Sequence, residues 1–177
     1  MKITIFGLAW SGTSTIGKLL WEKLDYKFMS SGNIMRSWAK ELGYTLYEFE
    51  DKIIKTDKSF DFKLDQKVWD FGKISDNFIF ESRLAWHFIP DSFKIYLHCD
   101  DTERYRRIHE REEWDLEDIV QKTKKREDEL VVRYSQVYPD INFPPEKQYF
   151  DLFIDSTAIL PDEIVENILE KIKWKYI

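Results

Sequence analysis

Only one cysteine, Cys99, occurs in the 177 residues. An internal disulfide is therefore excluded, and a reducing compartment is expected. Cys99 ends the apolar run "FKIYLHC" and reads as a small core residue. Long hydrophobic runs are lacking too: nothing approaches the ~20 apolar residues that a membrane-spanning helix needs. No signal-peptide pattern opens the chain, so a cytoplasmic protein with no membrane partner is expected. Positive charge is in deficit, with 27 Lys and Arg against 33 Asp and Glu. The resulting net charge of −6 removes the basic footprint on which nonspecific nucleic-acid binding depends. His87, His98 and His109 are scattered without metal-ligand spacing, so no zinc site is expected. Internal repeats and low-complexity tracts are absent as well.

What is present suits one domain with a sizeable core. Aromatic residues reach 16%, seven of them Trp, and most are expected in that core rather than on a nucleic-acid stacking platform. "KITIF" is a short opening strand, and the segment after it places Ile16, Leu19, Leu20 and Leu24 on one helical face. "YKFMS" reads as a second strand ended by Ser30-Ser31-Gly32, with a helix from about Ile34 to Leu42 behind it. Thr45 and Glu48 form a capping box for a helix over "LYEFEDKII". Another helix is expected from Asp61 to Phe71, and Asp76-Asn77 mark a turn. "FIFES", "FKIYLHC" and "YFDLFIDS" supply three more strands. Charged helices are expected from Asp101 to about Glu113 and from Asp115 to Tyr138, and Pro161 opens a last one to the C-terminus.

Strands alternating with helices imply an α/β fold with a five-stranded parallel sheet covered on both faces. Ligands of such sheets sit at the carboxyl ends of the strands. Three polar segments fall there: Gly7–Ser14, Ser31-Gly32 and Glu81–Arg83.

The first of these follows the phosphate-loop pattern G-x-x-x-x-G-K-[ST] except at its lysine. Gly7 and Gly12 have the right spacing and Ser14 the right hydroxyl, but Thr13 stands where the lysine should be. Such a loop works through backbone N–H groups and a helix N-terminus, which Thr13 keeps. The lost cation is worth on the order of 3 kcal/mol unless another group replaces it. Lys18, about a turn and a half further along the helix, is not an obvious substitute. On its own the segment is either a phosphate loop or a glycine-punctuated turn.

Other motifs decide between these. "KITIFG…SGTSTIGKLLWEKL", "FMSSGNIMRSWAKELGYTLYEFE", "NFIFESRLAW", "KIYLHCDDTERYRRIHERE", "TKKREDELVVRYSQVY" and "YFDLFIDSTAILPDEIVENIL" follow in order. Through them the chain resembles the nucleoside monophosphate kinases, and among these the archaeal-type cytidylate kinases, over nearly its whole length. Some members of that group look lysine-free here too, with Thr in its place. The resemblance implies a P-loop NTPase fold, a three-layer α/β/α sandwich. Its core would span about 1–30, 76–110 and 148–177, with a small helical insertion for the acceptor nucleotide at about 31–75. A short lid would occupy about 111–133. It implies ATP and Mg2+, nucleotides as partners, and phosphoryl transfer to CMP or dCMP; a monomer is expected. A kinase for another small acceptor (UMP, AMP or a metabolite) and a weakly active nucleotide-binding regulator are the alternatives.

Residue by residue, the resemblance puts Gly7, Leu8, Ala9, Trp10, Ser11, Gly12, Thr13, Ser14 and Thr15 on the donor phosphates, with Ser14 at the metal. Ser31, Gly32 and Arg36 would receive the acceptor, although Asn33 stands where the family usually has an acidic residue. "Glu81-Ser82-Arg83" replaces a usual Glu-Gly-Arg, with Arg83 as a second clamp on the acceptor phosphate. Asp61 and Asp65 match an acidic pair placed to recognise the pyrimidine nucleoside. Arg107 and Arg111 begin the lid, and Arg126 and Arg133 follow on its returning helix. Spacing alone puts Arg104, Arg107 and Arg111 on one helix face. It leaves open a solvated face paired with Glu110, Glu112, Glu113 and Asp128. The lid arginines are expected to take over from the missing lysine, because phosphoryl transfer rests on positioning and on cations around the moving group. Glu81 is read at most as holding metal-bound water, since no obvious acidic metal ligand is seen at the end of an apolar strand.

Overall fold

A computed structural model describes residues 1–176. Five strands make one sheet: β1 (Lys2–Phe6), β2 (Lys27–Ser30), β3 (Phe78–Glu81), β4 (Phe93–His98) and β5 (Leu152–Asp155). Their order is β2-β3-β1-β4-β5 and every pair is parallel. Helices pack on both faces of the sheet, giving three layers. Strand β1 is central and almost wholly buried, and its alternating side chains feed two cores. Ile3 and Ile5 join Ile16 and Leu20 of α1 (Thr13–Leu24) and Val165 and Ile168 of α8 (Pro161–Tyr176). Phe6 faces the other way, its ring edge-on to Tyr96 at 4.7 Å beside Trp86. Part of the aromatic excess is spent in these layers, but Trp21, Trp69, Trp114 and Trp174 are exposed, against the expectation of a mainly buried set. The expected end of α8 at Ile177 lies outside the described residues.

Six further α-helices complete the chain order among the described residues. These are α2 (Ser31–Glu41), α3 (Leu46–Phe49), α4 (Ser59–Ile74), α5 (Ala85–Phe88) and the pair α6 (Asp101–Glu112) and α7 (Leu116–Val137). Helix α2 starts three residues before the expected Ile34, because the Ser30 hydroxyl accepts the Asn33 N–H at 3.3 Å and caps it directly at the end of β2. The Thr45–Glu48 capping box is present in both directions. The single helix expected behind it is corrected: α3 runs into a π-type turn over Glu50–Ile54. A wider turn brings residues five apart to one side, so Phe49 and Ile54 both reach Ala39 in a small core of their own. Helix α5 was not expected; buried Ala85 and Trp86 hold it, and the Trp86 indole donates to the Arg83 carbonyl at 3.0 Å. Residues 149–151, expected in the last strand, lie outside it, and Lys147–Tyr149 form a 3₁₀ turn instead.

The strand order switches sides at β1, with β2 and β3 on one side and β4 and β5 on the other. That arrangement opens a crevice at the carboxyl ends of the strands. No described helix is long and apolar enough to cross a membrane.

One close approach sets the seating of α1 on the sheet. A Cβ on Gly17 would stand 2.4 Å from the Phe28 ring of β2. Gly17→Ala is expected to destabilise the fold by about 1–3 kcal/mol through overpacking, read as a lower denaturation midpoint.

Candidate functional site

The loop after β1 is shaped by crowding. A Cβ on Gly7 would fall 2.3 Å from Ser11 Oγ and 2.8 Å from the Leu97 carbonyl, so only glycine lets the chain turn there. Trp10 and Gly12 take positive φ, 70° and 98°, and Gly12 precedes the first turn of α1, which no side chain caps. The orphan N–H groups of that turn face the crevice, as an anion site requires.

Below the loop, at the end of β3, stands Glu81. Thr13 Oγ1 donates to its Oε1 at 2.7 Å, and Ser14 Oγ lies 2.8 Å from both carboxylate oxygens. The sequence reading gives Glu81 a role only through metal-bound water and sees no acid ending an apolar strand; in the structure Glu81 ends β3 and accepts from both loop hydroxyls. Its signal was the FIFE tetrapeptide, whose last residue pairs with Ile5 of β1.

Helix α6 reaches the loop from above. Arg107 donates to the carbonyls of Trp10 at 3.4 Å and Ser156 at 2.7 Å while its Nε pairs with Glu103. Arg111 lies over the Trp10 ring at 5.1 Å. Arg104 departs from the expectation of one shared arginine face: it is fully buried, and donates to the Ala9 carbonyl at 3.2 Å, to both oxygens of Glu127 and to Asp101. It braces the loop against α7. The carboxylates expected to partner these arginines are, Glu112 excepted, replaced by Glu103, Asp101 and Glu127.

Facing the loop across the crevice is a cationic wall. Arg126 pairs with Glu50 at 2.7 Å and Arg133 with Asp61 at 3.3 Å. Burial lowers the proton affinity of Arg83, Tyr134 opposes this, and the charges of Arg126 and Arg133 add to the lowering. The Nε atoms of Arg83 and Arg133 are buried with no hydrogen-bond partner, which leaves donors waiting for an acceptor. Arg36 donates to Asn33 Oδ1 at 2.7 Å, so the residue departing from the family pattern orients the guanidinium it precedes. Beside this wall Asp61 is buried with one oxygen, Oδ2, unpartnered. Tyr138 donates to Asp65, whose carboxyl burial and the neighbouring Asp61 push up to about 7 against the pull of Arg133.

Apart from the buried Arg104, the residues that the sequence motifs put forward for a site line this one cleft of about 1130 Å³. The loop Gly7–Thr15, Ser31, Gly32 and Arg36 of α2, Asp61 and Asp65 of α4, Arg83, and Arg107, Arg111, Arg126 and Arg133 of α6 and α7 all contribute. Lys18 lines it too, exposed and without an ion pair among the described residues.

Residues 2–158 match the model of the cytidylate kinase-like family. The chain belongs to that family. A relative named cytidylate kinase, from Methanococcoides burtonii, is 37% identical over 158 residues, 89% of this chain and 88% of that protein. One from Lacinutrix mariniflava, named S-adenosylmethionine-dependent nucleotide dehydratase, is 31% identical over 170 residues, 96% of this chain but 35% of its own length. The fold is shared with a shikimate kinase from Acinetobacter baumannii at a TM-score of 0.66, with 16% identity over 99% of this chain and 94% of that one.

Two outcomes test the site's electrostatics. Arg104→Ala strands Glu127 and is expected to cost about 3–5 kcal/mol, read by denaturant unfolding. The raised Asp65 carboxyl binds a proton in the folded chain that the unfolded chain has lost, so its contribution is present near pH 4 and disappears as pH rises through about 7. Asp65→Asn is therefore expected to raise stability by roughly 2 kcal/mol at pH 8, allowing for partial exposure, with the gain fading toward pH 4 in paired thermal melts.

Proposed function

We propose that this protein transfers the γ-phosphoryl group of ATP to a nucleoside monophosphate, with CMP or dCMP as the acceptor. The observation that carries the acceptor assignment is the lone oxygen of Asp61. Arg133 holds one carboxylate oxygen, and Oδ2 is left buried and unpartnered in the cleft. Such an acceptor demands an N–H donor, and the exocyclic amine of cytosine is one. Uracil would present a carbonyl there and leave two acceptors facing each other.

The donor lies on the Gly7–Thr15 loop, where backbone N–H groups and the uncapped start of α1 receive its phosphates. Ser14 and Glu81, an all-oxygen set suited to a hard cation, would hold Mg2+, which would supply charge neutralisation at the phosphates. Arg36 and Arg83 clamp the acceptor phosphate. Residues 31–75 form the acceptor insertion, and the hairpin of α6 and α7, over about 111–133, acts as the lid. Its arginines Arg107, Arg111, Arg126 and Arg133 surround the transferring group, and closure keeps water from it. The acceptor phosphate is ionised near neutral pH, so no strong general base is needed. Catalysis is positional and electrostatic.

A coupled ADP-release assay across the nucleoside monophosphates tests this reading. CMP and dCMP are expected to exceed UMP in kcat/KM by roughly tenfold or more, and Asp61→Asn, whose amide can also donate, to narrow the gap. Equal use of UMP would remove the base assignment. Arg83→Ala is expected to lower turnover by about 10²–10³ with the fold intact. Turnover on no monophosphate, with ATP still bound, would favour the regulator.

A further inference from the structure

The charges of Arg126, Arg133 and Glu50 all act on Arg83, so three guanidinium groups and one carboxylate share one part of the cleft wall. Glu50 is the acid that pairs with Arg126, at 2.7 Å. It opens the π-type turn, whose wide winding buries Phe49 and Ile54 and leaves the Glu50 side chain 20% exposed on the cleft side. A carboxylate in a wall suited to phosphate weakens that wall for anions. Nor is it needed to hold the insertion in place. Lys55 with Glu129 at 3.1 Å, Asp61 with Arg133 at 3.3 Å, and Asp65 with Tyr138 already join the same two stretches of chain.

We infer that Glu50 is a positioning residue whose carboxylate stands on Arg126 in place of the transferred phosphoryl group. It yields that place during transfer and takes it back afterwards, which helps to drive out the phosphorylated product. The inference rests on the kinase reading, in which Arg126 faces the transferring group. A carboxylate oxygen and a phosphate oxygen accept from a guanidinium in the same way, so the two compete for the same N–H donors. They also repel each other, and the repulsion grows with the charge brought up to Glu50. An acceptor monophosphate keeps its single phosphate at Arg36 and Arg83, whereas the diphosphate product carries a second one to Arg126. Glu50 therefore acts on the product more than on the acceptor. Without such a competitor, unopposed guanidinium groups would hold the more highly charged product the tighter, and its release would limit turnover.

The test compares CMP and CDP binding to the full-length protein without ATP by calorimetry, with thermal melts confirming the fold of each variant. Glu50→Gln leaves an amide oxygen for Arg126 and removes the charge, Glu50→Ala removes both, and Glu50→Asp keeps the charge. Relative to wild type, Glu50→Gln and Glu50→Ala are each expected to shift binding toward CDP over CMP by about fivefold or more, and Glu50→Asp by much less. CDP is expected to leave the Glu50→Gln protein more slowly in stopped-flow tryptophan fluorescence, so that kcat falls while KM for CMP does not rise. Early melting of either uncharged variant leaves the other to decide. An unshifted preference, or equal tightening of both nucleotides, would overturn the inference and leave Glu50 a structural tie. Turnover on CMP with an unshifted preference removes this inference alone. A shifted preference without turnover on any monophosphate removes the kinase reading and leaves the charge competition.

Discussion

Guanidinium groups repel one another, and this acidic protein holds several of them in one cleft by giving almost every one its own oxygen acceptor. Glu127 and Asp101 neutralise Arg104, Glu103 holds Arg107, Glu50 holds Arg126 and Asp61 holds Arg133. These partners come from α4, the π-type turn, α6 and α7, so the charge pattern ties α4 and the π-type turn to α7, and α7 to α6. Without it, the wall opposite the phosphate loop would scatter. Buried ion pairs of this kind add little net stability, but losing one partner is costly, and the geometry is correspondingly well determined.

Two sorts of arginine emerge from that pattern. Arg104 has its fork filled by Glu127, Asp101 and the Ala9 carbonyl, and acts as a brace for the loop. Arg83 and Arg133 keep buried N–H donors without acceptors, a state that an anionic ligand relieves. Arg104 too has a buried Nε without a partner, so what sets it apart is the pair of carboxylates on its terminal nitrogens, where Arg133 has one and Arg83 none among the described residues. The distinction also fits the lysine-free loop: its positive potential is assembled from backbone N–H groups, a helix terminus and distant side chains, none of which needs Thr13 to be charged.

Much of this architecture was legible in the chain. Short apolar runs separated by amphipathic helices implied a parallel sheet, and its carboxyl ends carried the polar segments that now line the crevice. The Thr45–Glu48 cap was read correctly because it is local. The break after Phe49 was not legible, since it depends on Phe49 and Ile54 meeting Ala39 of another helix. Partner choice was likewise hidden. Arg104, Arg107 and Arg111 share a spacing, yet one is a buried brace, one a contact to loop carbonyls and one a lid over Trp10.

The order of residues along the chain determined on its own the strand and helix pattern, the loop with its glycines, and the absence of an ammonium at position 13. Those are properties of neighbours within one turn or one strand, where spacing is geometry. Only the packed sheet decided that Glu81 would meet Thr13 and Ser14, and that Asp61 would keep one oxygen bare beside Arg133. Such pairings join residues 67 or more positions apart, and a carboxylate's role depends on which groups surround it once water has been excluded.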